Sequence, residues 1–198
     1  MKGFPPFRTS RRLRTSLHPP LAARRPPPHH LLRLHHHLRT SLHSSARWRR
    51  RSVALASSVF PPLHGLRLLV GSSRVLCLAA GAGHAVDALH AEGVRHVTRI
   101  DLVDFPPLVR RADPHHLPFS DGSFDLVFSN DPAGVSGALF PSRIAADAER
   151  TVRVGGAIAL AVDRHLDPAA VATLFKRSRI VLLRDVTLDG SQVRMLIF

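Results

Sequence analysis

Two short segments carry residue types suited to holding a nucleoside-bearing ligand. Gly81 and Gly83 follow an apolar run over 74–79 and precede a stretch with helical spacing of apolar residues. Glycines in such a turn let the backbone approach a ligand closely, and the helix behind them presents free N–H groups. Asp101 ends the next apolar run, 18 positions after Gly83, where a carboxylate can accept two hydrogen bonds from a ribose diol. Together these residues predict a nucleoside-bearing ligand at the carboxyl ends of the strands.

The same residues also have explanations that involve no ligand or a different one. The glycines alone are typical of a tight turn, and Asp101 alone of a helix cap or a surface acid. A dinucleotide site would require the spacing G-x-G-x-x-G, whose third glycine would fall at position 86, where the chain has Val86. We therefore expect a cofactor other than a nicotinamide dinucleotide.

The elements that must position these residues alternate between short apolar strands and helices. The first strand is apolar on both faces, as in a parallel sheet that is covered on both sides. The segment Asp189-Gly190 predicts a type I′ turn between two final strands. The expected fold class is α/β, a mostly parallel sheet that ends in an antiparallel hairpin. We predict strands over 74–79, 94–101, 108–112, 124–129, 157–162, 180–188 and 192–198, and helices through Leu89, over 141–152 and after Asp167.

Positive charge is concentrated at the amino-terminal end of the chain. The net charge is +14 over 198 residues, but residues 1–52 hold 13 Lys and Arg and no acid, whereas residues 53–198 hold 15 basic and 14 acidic residues. Prolines and histidines fill much of this arm, and its few apolar residues cannot offset the entropy lost on ordering it. We expect a disordered arm over 1–52, a linker and short lead-in over 53–72, and one domain over 73–198.

Three interpretations of the arm remain open. It is typical of a transit peptide for a plastid or a mitochondrion, and without such a signal we expect the chain in the cytoplasm. Its arginines could instead bind nucleic-acid phosphates, although one Trp and no basic-helix periodicity make this the weaker prediction. It could also reflect biased composition or a coding region assigned too far upstream. Its histidine clusters lack acids and cysteines, so we expect no metal site.

Composition excludes two further protein classes. The single cysteine, Cys77, has no partner for a disulfide, which excludes a disulfide-stapled secreted module. No apolar run approaches the roughly 18 consecutive residues that a membrane-spanning helix needs. We therefore expect no membrane span.

Four segments follow, in order, the patterns of one known family. Residues 75–83, 113–119, 123–129 and 149–156 resemble V-L-D-L-G-x-G-x-G, D-x-x-x-L-P-F, S-F-D-x-V-x-S and E-x-x-R-x-L-K-P-G-G. On these motifs, the stretch 74–162 resembles class I S-adenosylmethionine-dependent methyltransferases of the type 11 group, and within them plant methyltransferase-like proteins. The resemblance implies a Rossmann-like, mostly parallel seven-stranded sheet, S-adenosylmethionine as cofactor and methyl transfer as the activity.

The resemblance also implies which residues hold the cofactor. The glycine loop contacts the methionine end, the second strand ends at the ribose, the D-x-x-x-L-P-F segment meets the adenine amino group, and the fourth strand ends beside the transferable methyl group. The residues at these positions are Ala79, Gly81, Gly83, Asp101, Leu102, Asp113, Pro114 and Ser129.

Two positions of the first motif depart from the family pattern. Cys77 stands where most members have an acid, and we expect it to be a buried small side chain and not a reactive thiol. Ala79 replaces the first glycine. An alanine is tolerable there only if the position does not need a positive φ.

Methyl transfer from a sulfonium is an in-line displacement that needs alignment and exclusion of water more than a fixed set of catalytic groups. As weak candidates, Asn130 could orient the substrate, and Asp131 or His165 could act as a base. Asp131 is also typical of a turn start, and His165 of a surface loop. We expect His115 and His116 to line the adenine pocket as loop residues.

Substrate choice is the least constrained feature of the sequence. The segments that normally cover the acceptor, 63–73 and 131–140, are short or rich in small residues. The acceptor is therefore expected to be a small molecule or a group presented by a partner protein. A catalytically silent scaffold that binds S-adenosylmethionine remains the alternative, and nucleic-acid binding through the arm is a third.

Overall fold

The structure is a computed structural model that describes residues 46–79, 81, 83–101, 110–188 and 190–198. Most of the arm that we expected to be disordered, residues 1–45, lies outside this range, as does the first central residue of the predicted hairpin turn, Asp189. No helix in the described part of the chain is long and apolar enough to cross a membrane.

Within the described residues, the strands form one mixed sheet in the order β3-β2-β1-β4-β5-β7-β6. Strands β1 to β5 are parallel where they pair, and β7 is antiparallel to both β5 and β6. The expected class, a mostly parallel α/β sheet closed by an antiparallel hairpin, is confirmed. The strands are β1 Arg74–Leu78, β2 His96–Asp101, β3 Arg110–Arg111, β4 Phe124–Ser129, β5 Val152–Asp163, β6 Leu182–Leu188 and β7 Ser191–Ile197.

Helices cover both faces of this sheet. On one face, the helix after β1 packs with a helical segment that precedes the sheet; on the other lie the helices that follow β4 and β5. Asp167 caps the last of these helices, since its Oδ1 accepts a hydrogen bond of 3.0 Å from the N–H of Ala169. The helices are α1 Ala46–Ala54, α2 Phe60–Gly65, α3 His84–Ala91, α4 Pro141–Thr151 and α5 Pro168–Ala172, with a π-helical turn Leu55–Val59 between α1 and α2.

The segment before β1 is part of the domain, which corrects the predicted boundary at residue 73. Phe60 and Leu63 are fully buried, and the Phe60 ring contacts that of Phe128 in β4 at a centroid distance of 5.9 Å. The two prolines of this segment occupy the first turn of α2, where proline leaves no helix hydrogen bond unmade. Residues 46–52, expected in the arm, also form a helix.

Strand β5 begins earlier than we expected. Its predicted start was residue 157, after two glycines, but the strand runs from Val152 and includes them. Phe124 pairs with Val152 and Leu126 with Ala157, so a bulge accommodates the extra residues. Gly155, with a φ of 73°, takes the left-handed conformation that such a bulge requires.

We predict that Phe60→Ala destabilises the domain by about 3–5 kcal/mol, because it removes a buried ring and leaves a cavity against Phe128. Urea unfolding followed by circular dichroism measures the loss. Val53→Ala, in the same helical segment but 64% exposed, is the control and should change stability by less than about 1 kcal/mol. Equal stability of the two variants would show that this segment is not part of the core.

Candidate functional site

The loop that joins β1 to α3 has three described residues in the left-handed backbone conformation. The backbone φ is 49° at Ala79, 52° at Gly81 and 102° at Gly83, which is the residue before the first turn of α3. A β-carbon added to Gly81 would meet no atom of the described residues within 4 Å, so this glycine faces open space among them. The loop therefore leaves room for a ligand beside its backbone, at the N-terminus of an eight-residue helix.

The positive φ of Ala79 does not meet the condition under which an alanine is tolerable there. A left-handed φ brings the β-carbon close to the following carbonyl oxygen and costs an alanine roughly 1–2 kcal/mol. The family has a glycine here because glycine carries no such cost. The chain thus holds an alanine in a left-handed conformation that favours glycine.

The end of β4 lies against the end of β1, as the parallel pairing predicts. Ser129 is 1% exposed, and its Oγ has no hydrogen-bond partner in the described part of the chain. A β-carbon added to Gly134 would lie 3.0 Å from Cβ of Ala79 and 3.1 Å from Oγ of Ser129, so the 130–140 loop returns over both strand ends. A buried hydroxyl without a protein partner fits a site whose missing partner is a polar ligand atom.

The structure describes only part of the predicted ribose and adenine binding sites. The backbone of Asp101 ends β2 and pairs with Arg111, whereas its side chain and the whole of Leu102 lie outside the described residues. The Asp113 carboxylate turns into its own loop, where Oδ1 accepts hydrogen bonds of 2.9 Å from the N–H and from Nδ1 of His115. The backbone N–H and then the imidazole of His115 hold the pKa of Asp113 below its ordinary value.

His115 and its neighbours form a loop, as we expected, and Pro114 lies half-buried within it. The His115 ring meets the Phe140 ring edge-on at 5.7 Å. This contact joins the predicted adenine segment to the end of the 130–140 loop.

The segment 117–119 is held by two side chains of α4. Asp147 accepts a hydrogen bond from the N–H of Leu117, while Arg150 donates to the carbonyl oxygens of Leu117 at 2.9 Å and Phe119 at 2.6 Å. Arg150 also donates to Asp147 and Asp121, and these bonds raise its pKa above the ordinary value. This clamp fixes the loop beside the predicted adenine site.

Asp147 is a residue that the sequence reasoning missed. Aligning E-x-x-R-x-L-K-P-G-G on its two glycines, at 155 and 156, places the acid of the pattern at Asp147 and its arginine at Arg150. Glu149, where we began the motif, instead accepts hydrogen bonds from the N–H groups of Lys176 and Arg177 at 3.1 and 2.8 Å. The motif is therefore a structural clamp around α4.

The three weak catalytic candidates have different surroundings. Asp131 is exposed, and its Oδ1 accepts a hydrogen bond of 3.0 Å from the N–H of Ala133, which makes it a turn residue. His165 is exposed, with its N–H bound to Oδ1 of Asp163 at 2.8 Å. Asn130 is half-buried and directly follows Ser129, so of the three it is the one held at the strand end.

Cys77 is buried within β1, as we expected. Desolvation raises the pKa of its thiol to about 12, although the positive charge of Arg99 acts in the opposite direction. The thiol therefore stays neutral and does not replace the charge of the acid that the family pattern has at this position.

The fold and this edge of the sheet resemble those of class I S-adenosylmethionine-dependent methyltransferases. Residues 76–160 match a family model described as a methyltransferase domain, the type 11 group of that class. S-adenosylmethionine is the cofactor of this class and methyl transfer its reaction. No curated protein matches the chain in sequence. The particular resemblance to plant proteins stays a prediction.

Solved structures share the fold at low sequence identity. A 1,6-didemethyltoxoflavin-N1-methyltransferase from Burkholderia thailandensis is 19% identical over 90% of this chain and 92% of that chain, with a TM-score of 0.56. A SAM-dependent methyltransferase from Aquifex aeolicus is 14% identical over 78% and 98%, also at 0.56. TrmN from Thermus thermophilus is 23% identical over 77% of this chain at 0.55, but this chain spans only 52% of it. The chain likewise spans 56% of a matched Bacillus halodurans protein.

We predict that Ala79→Gly stabilises the domain by about 1 kcal/mol, because relief of the left-handed strain exceeds the extra entropy of glycine in the unfolded chain. Urea unfolding measures the change. Ala146→Gly, at an exposed position inside α4, is the matched control and should destabilise by about 1 kcal/mol. A loss of stability in both variants would contradict strain at Ala79.

We predict that Cys77 makes the folded domain lose stability above pH 9. Its thiol pKa rises from 9.0 to about 12 on folding, so above pH 9.0 the unfolded chain ionises while the folded chain does not. Between pH 9 and 10.5, the stability of the wild type should fall by roughly 2 kcal/mol relative to that of Cys77→Ala. Parallel pH profiles of the two proteins in urea unfolding would disprove the burial of a neutral thiol.

Proposed function

We propose that the chain transfers the methyl group of S-adenosylmethionine to a small-molecule acceptor at the carboxyl ends of β1 and β4. The observation that carries this proposal is the convergence there of the open side of Gly81 with the unpartnered hydroxyl of Ser129. The methyltransferase family match over the same strands supports it.

The residues present fit this cofactor. The backbone over 79–83 would hold its methionine part, Asp101 and Leu102 its ribose, and the loop with Asp113 and Pro114 its adenine. Ser129 would meet the end that carries the methyl group. When bound, S-adenosylmethionine supplies an electrophilic methyl group on a sulfonium sulfur.

The chain contributes alignment and shielding from water. The bound cofactor would supply the methyl group and leave as S-adenosylhomocysteine, and any proton on the acceptor's nucleophile would pass to water. We assign no side-chain base, because Asp131 is engaged in a turn and His165 is exposed. Asn130, next to Ser129, is the residue that we propose to orient the acceptor.

Two observations favour an acceptor that is small and partly apolar. The 130–140 loop is short, and two of its large apolar side chains are exposed, Leu139 by 82% and Phe140 by 48%. These side chains offer apolar contact at the acceptor side without forming a full lid. Similarly, the Burkholderia structure is described with bound 1,6-didemethyltoxoflavin, a small molecule.

We predict that the full chain binds S-adenosylhomocysteine and that Gly81→Leu abolishes this binding, because the new side chain fills the open side of the loop. Isothermal titration calorimetry measures the affinity. Gly93→Leu is the matched control, since Gly93 also has a positive φ, 84°, and no atom of the described part of the chain within 4 Å of an added β-carbon, but it follows α3. Both variants carry similar backbone strain, so only a cofactor at the loop makes them differ.

Methyl transfer itself is measured as release of S-adenosylhomocysteine in the presence of small-molecule fractions. Release that depends on an added fraction supports the enzyme, whereas tight binding without turnover favours the silent scaffold. Failure to bind either form of the cofactor would contradict the proposed function. Binding of nucleic acid that weakens steeply with salt would favour the arm as the functional element.

A further inference from the structure

We propose that helix α1 is part of the cofactor site, with Trp48 and Arg51 as positioning residues that hold the start of α3 against the glycine loop. This inference rests on the proposed function and extends it to a segment that the family match, residues 76–160, does not include. It gives a role at the cofactor to residues within the basic amino-terminal region.

Trp48 contacts α3 through both parts of its indole. The side chain is 8% exposed, and its Nε1 donates a hydrogen bond of 3.0 Å to Oδ2 of Asp87. Its ring meets the His84 ring edge-on, at a centroid distance of 5.1 Å and an interplanar angle of 88°. One residue of α1 therefore spans the first turn of α3, from His84 to Asp87.

Arg51 and Ser52, in the next turn of α1, both contact His84. Nη1 of Arg51 lies 3.1 Å from Nε2 of His84, and a guanidinium can only donate, so Nε2 is the acceptor of this hydrogen bond. The hydroxyl of Ser52 donates to the His84 carbonyl oxygen at 3.4 Å. Because residues three and four apart share a helix face, Trp48, Arg51 and Ser52 act on His84 together.

Gly83 shows how closely this contact approaches the loop. A β-carbon added to Gly83 would overlap Nη1 of Arg99, from β2, and would lie 3.9 Å from Cη2 of Trp48. The glycine thus packs between the sheet on one side and α1 on the other, at a φ of 102°. The end of the loop that leads into α3 cannot move without displacing one of these side chains.

This packing matters for the cofactor because the first N–H groups of α3 are the donors that a ligand at the loop would meet. Their position relative to Gly81 is set at Gly83 and His84, the residues held by Trp48 and Arg51. By contrast, the helical segment before β1 is anchored to the core by apolar residues that follow α1, such as Leu55, Phe60 and Leu63. Loss of the Arg51 contact should therefore weaken cofactor binding more than folding.

The chain offers a direct probe of this contact. Trp48 is the only tryptophan and the chain has no tyrosine, so its emission can be followed without interference. We expect S-adenosylhomocysteine to change the Trp48 emission of the full chain in a saturable way, with the dissociation constant that calorimetry gives. If α1 only supported the fold, S-adenosylhomocysteine would leave the Trp48 emission unchanged.

Variants of α1 complete the test in the full chain. Arg51→Ala should weaken S-adenosylhomocysteine binding about tenfold, as expected for loss of a hydrogen bond from a charged donor, with little change in the urea midpoint. Arg51→Lys keeps a donor and should restore most of the affinity. Arg50→Ala, at an exposed neighbouring position, is the matched control and should bind as the wild type does.

The outcomes separate the inference from the proposed function. A wild-type chain that does not bind S-adenosylhomocysteine contradicts both. A chain that binds it with unchanged Trp48 emission, and with equal affinity in Arg51→Ala and Arg50→Ala, overturns the inference alone. Parallel loss of stability and affinity in Arg51→Ala that Arg51→Lys does not reverse also overturns it.

Discussion

The parallel pairing of β1 with β4 is the constraint on which the rest of the site depends. Val75 pairs with Leu126 and Cys77 with Phe128, and all four side chains are at most 1% exposed. Full burial of a large apolar side chain contributes about 1.5–3 kcal/mol, so several such residues outweigh the roughly 1–2 kcal/mol of strain at Ala79. The strand ends are therefore fixed, and the loop that leaves them adopts its left-handed path in spite of the alanine.

The two sides of this edge are stabilised differently. The 117–119 segment is tied by Asp147 and Arg150, about thirty positions further along the chain, which makes its position independent of the loop's own sequence. Side-chain bonds within the 130–140 loop are local, such as Asp131 to Ala133 and the Ser136 hydroxyl to the Pro132 carbonyl oxygen at 2.8 Å. The 117–119 segment beside the cofactor site is thus held by a distant helix, whereas the 130–140 loop at the proposed acceptor site is held by local bonds. Substitutions in the 130–140 loop can therefore change acceptor choice without loss of the cofactor site.

The sequence predicted those elements whose period and boundaries are local properties. β4 has the predicted bounds because a buried strand follows a turn, and α5 begins where Asp167 caps it. The sequence pattern did not predict the helical segment before β1, because the π-helical turn Leu55–Val59 changes the spacing of the apolar residues in that segment. The φ of Ala79 was also missed, since it is set by strand packing and not by the residue itself. The partner of Arg150, Asp147, required the motif to be aligned on its glycines.

Placing α1 in the domain also changes how the charge of the chain is understood. Residues 46–198 carry 19 Lys and Arg against 14 acids, so the domain is itself basic and not nearly neutral. Four of those arginines, at positions 47, 49, 50 and 51, lie in α1, and Arg51 donates to a histidine in the first turn of α3. A transit peptide that ended at residue 52 would take Trp48 and Arg51 with it. If the acid-free arm is a cleaved leader, the packing of α1 therefore requires the cleavage to fall before Ala46.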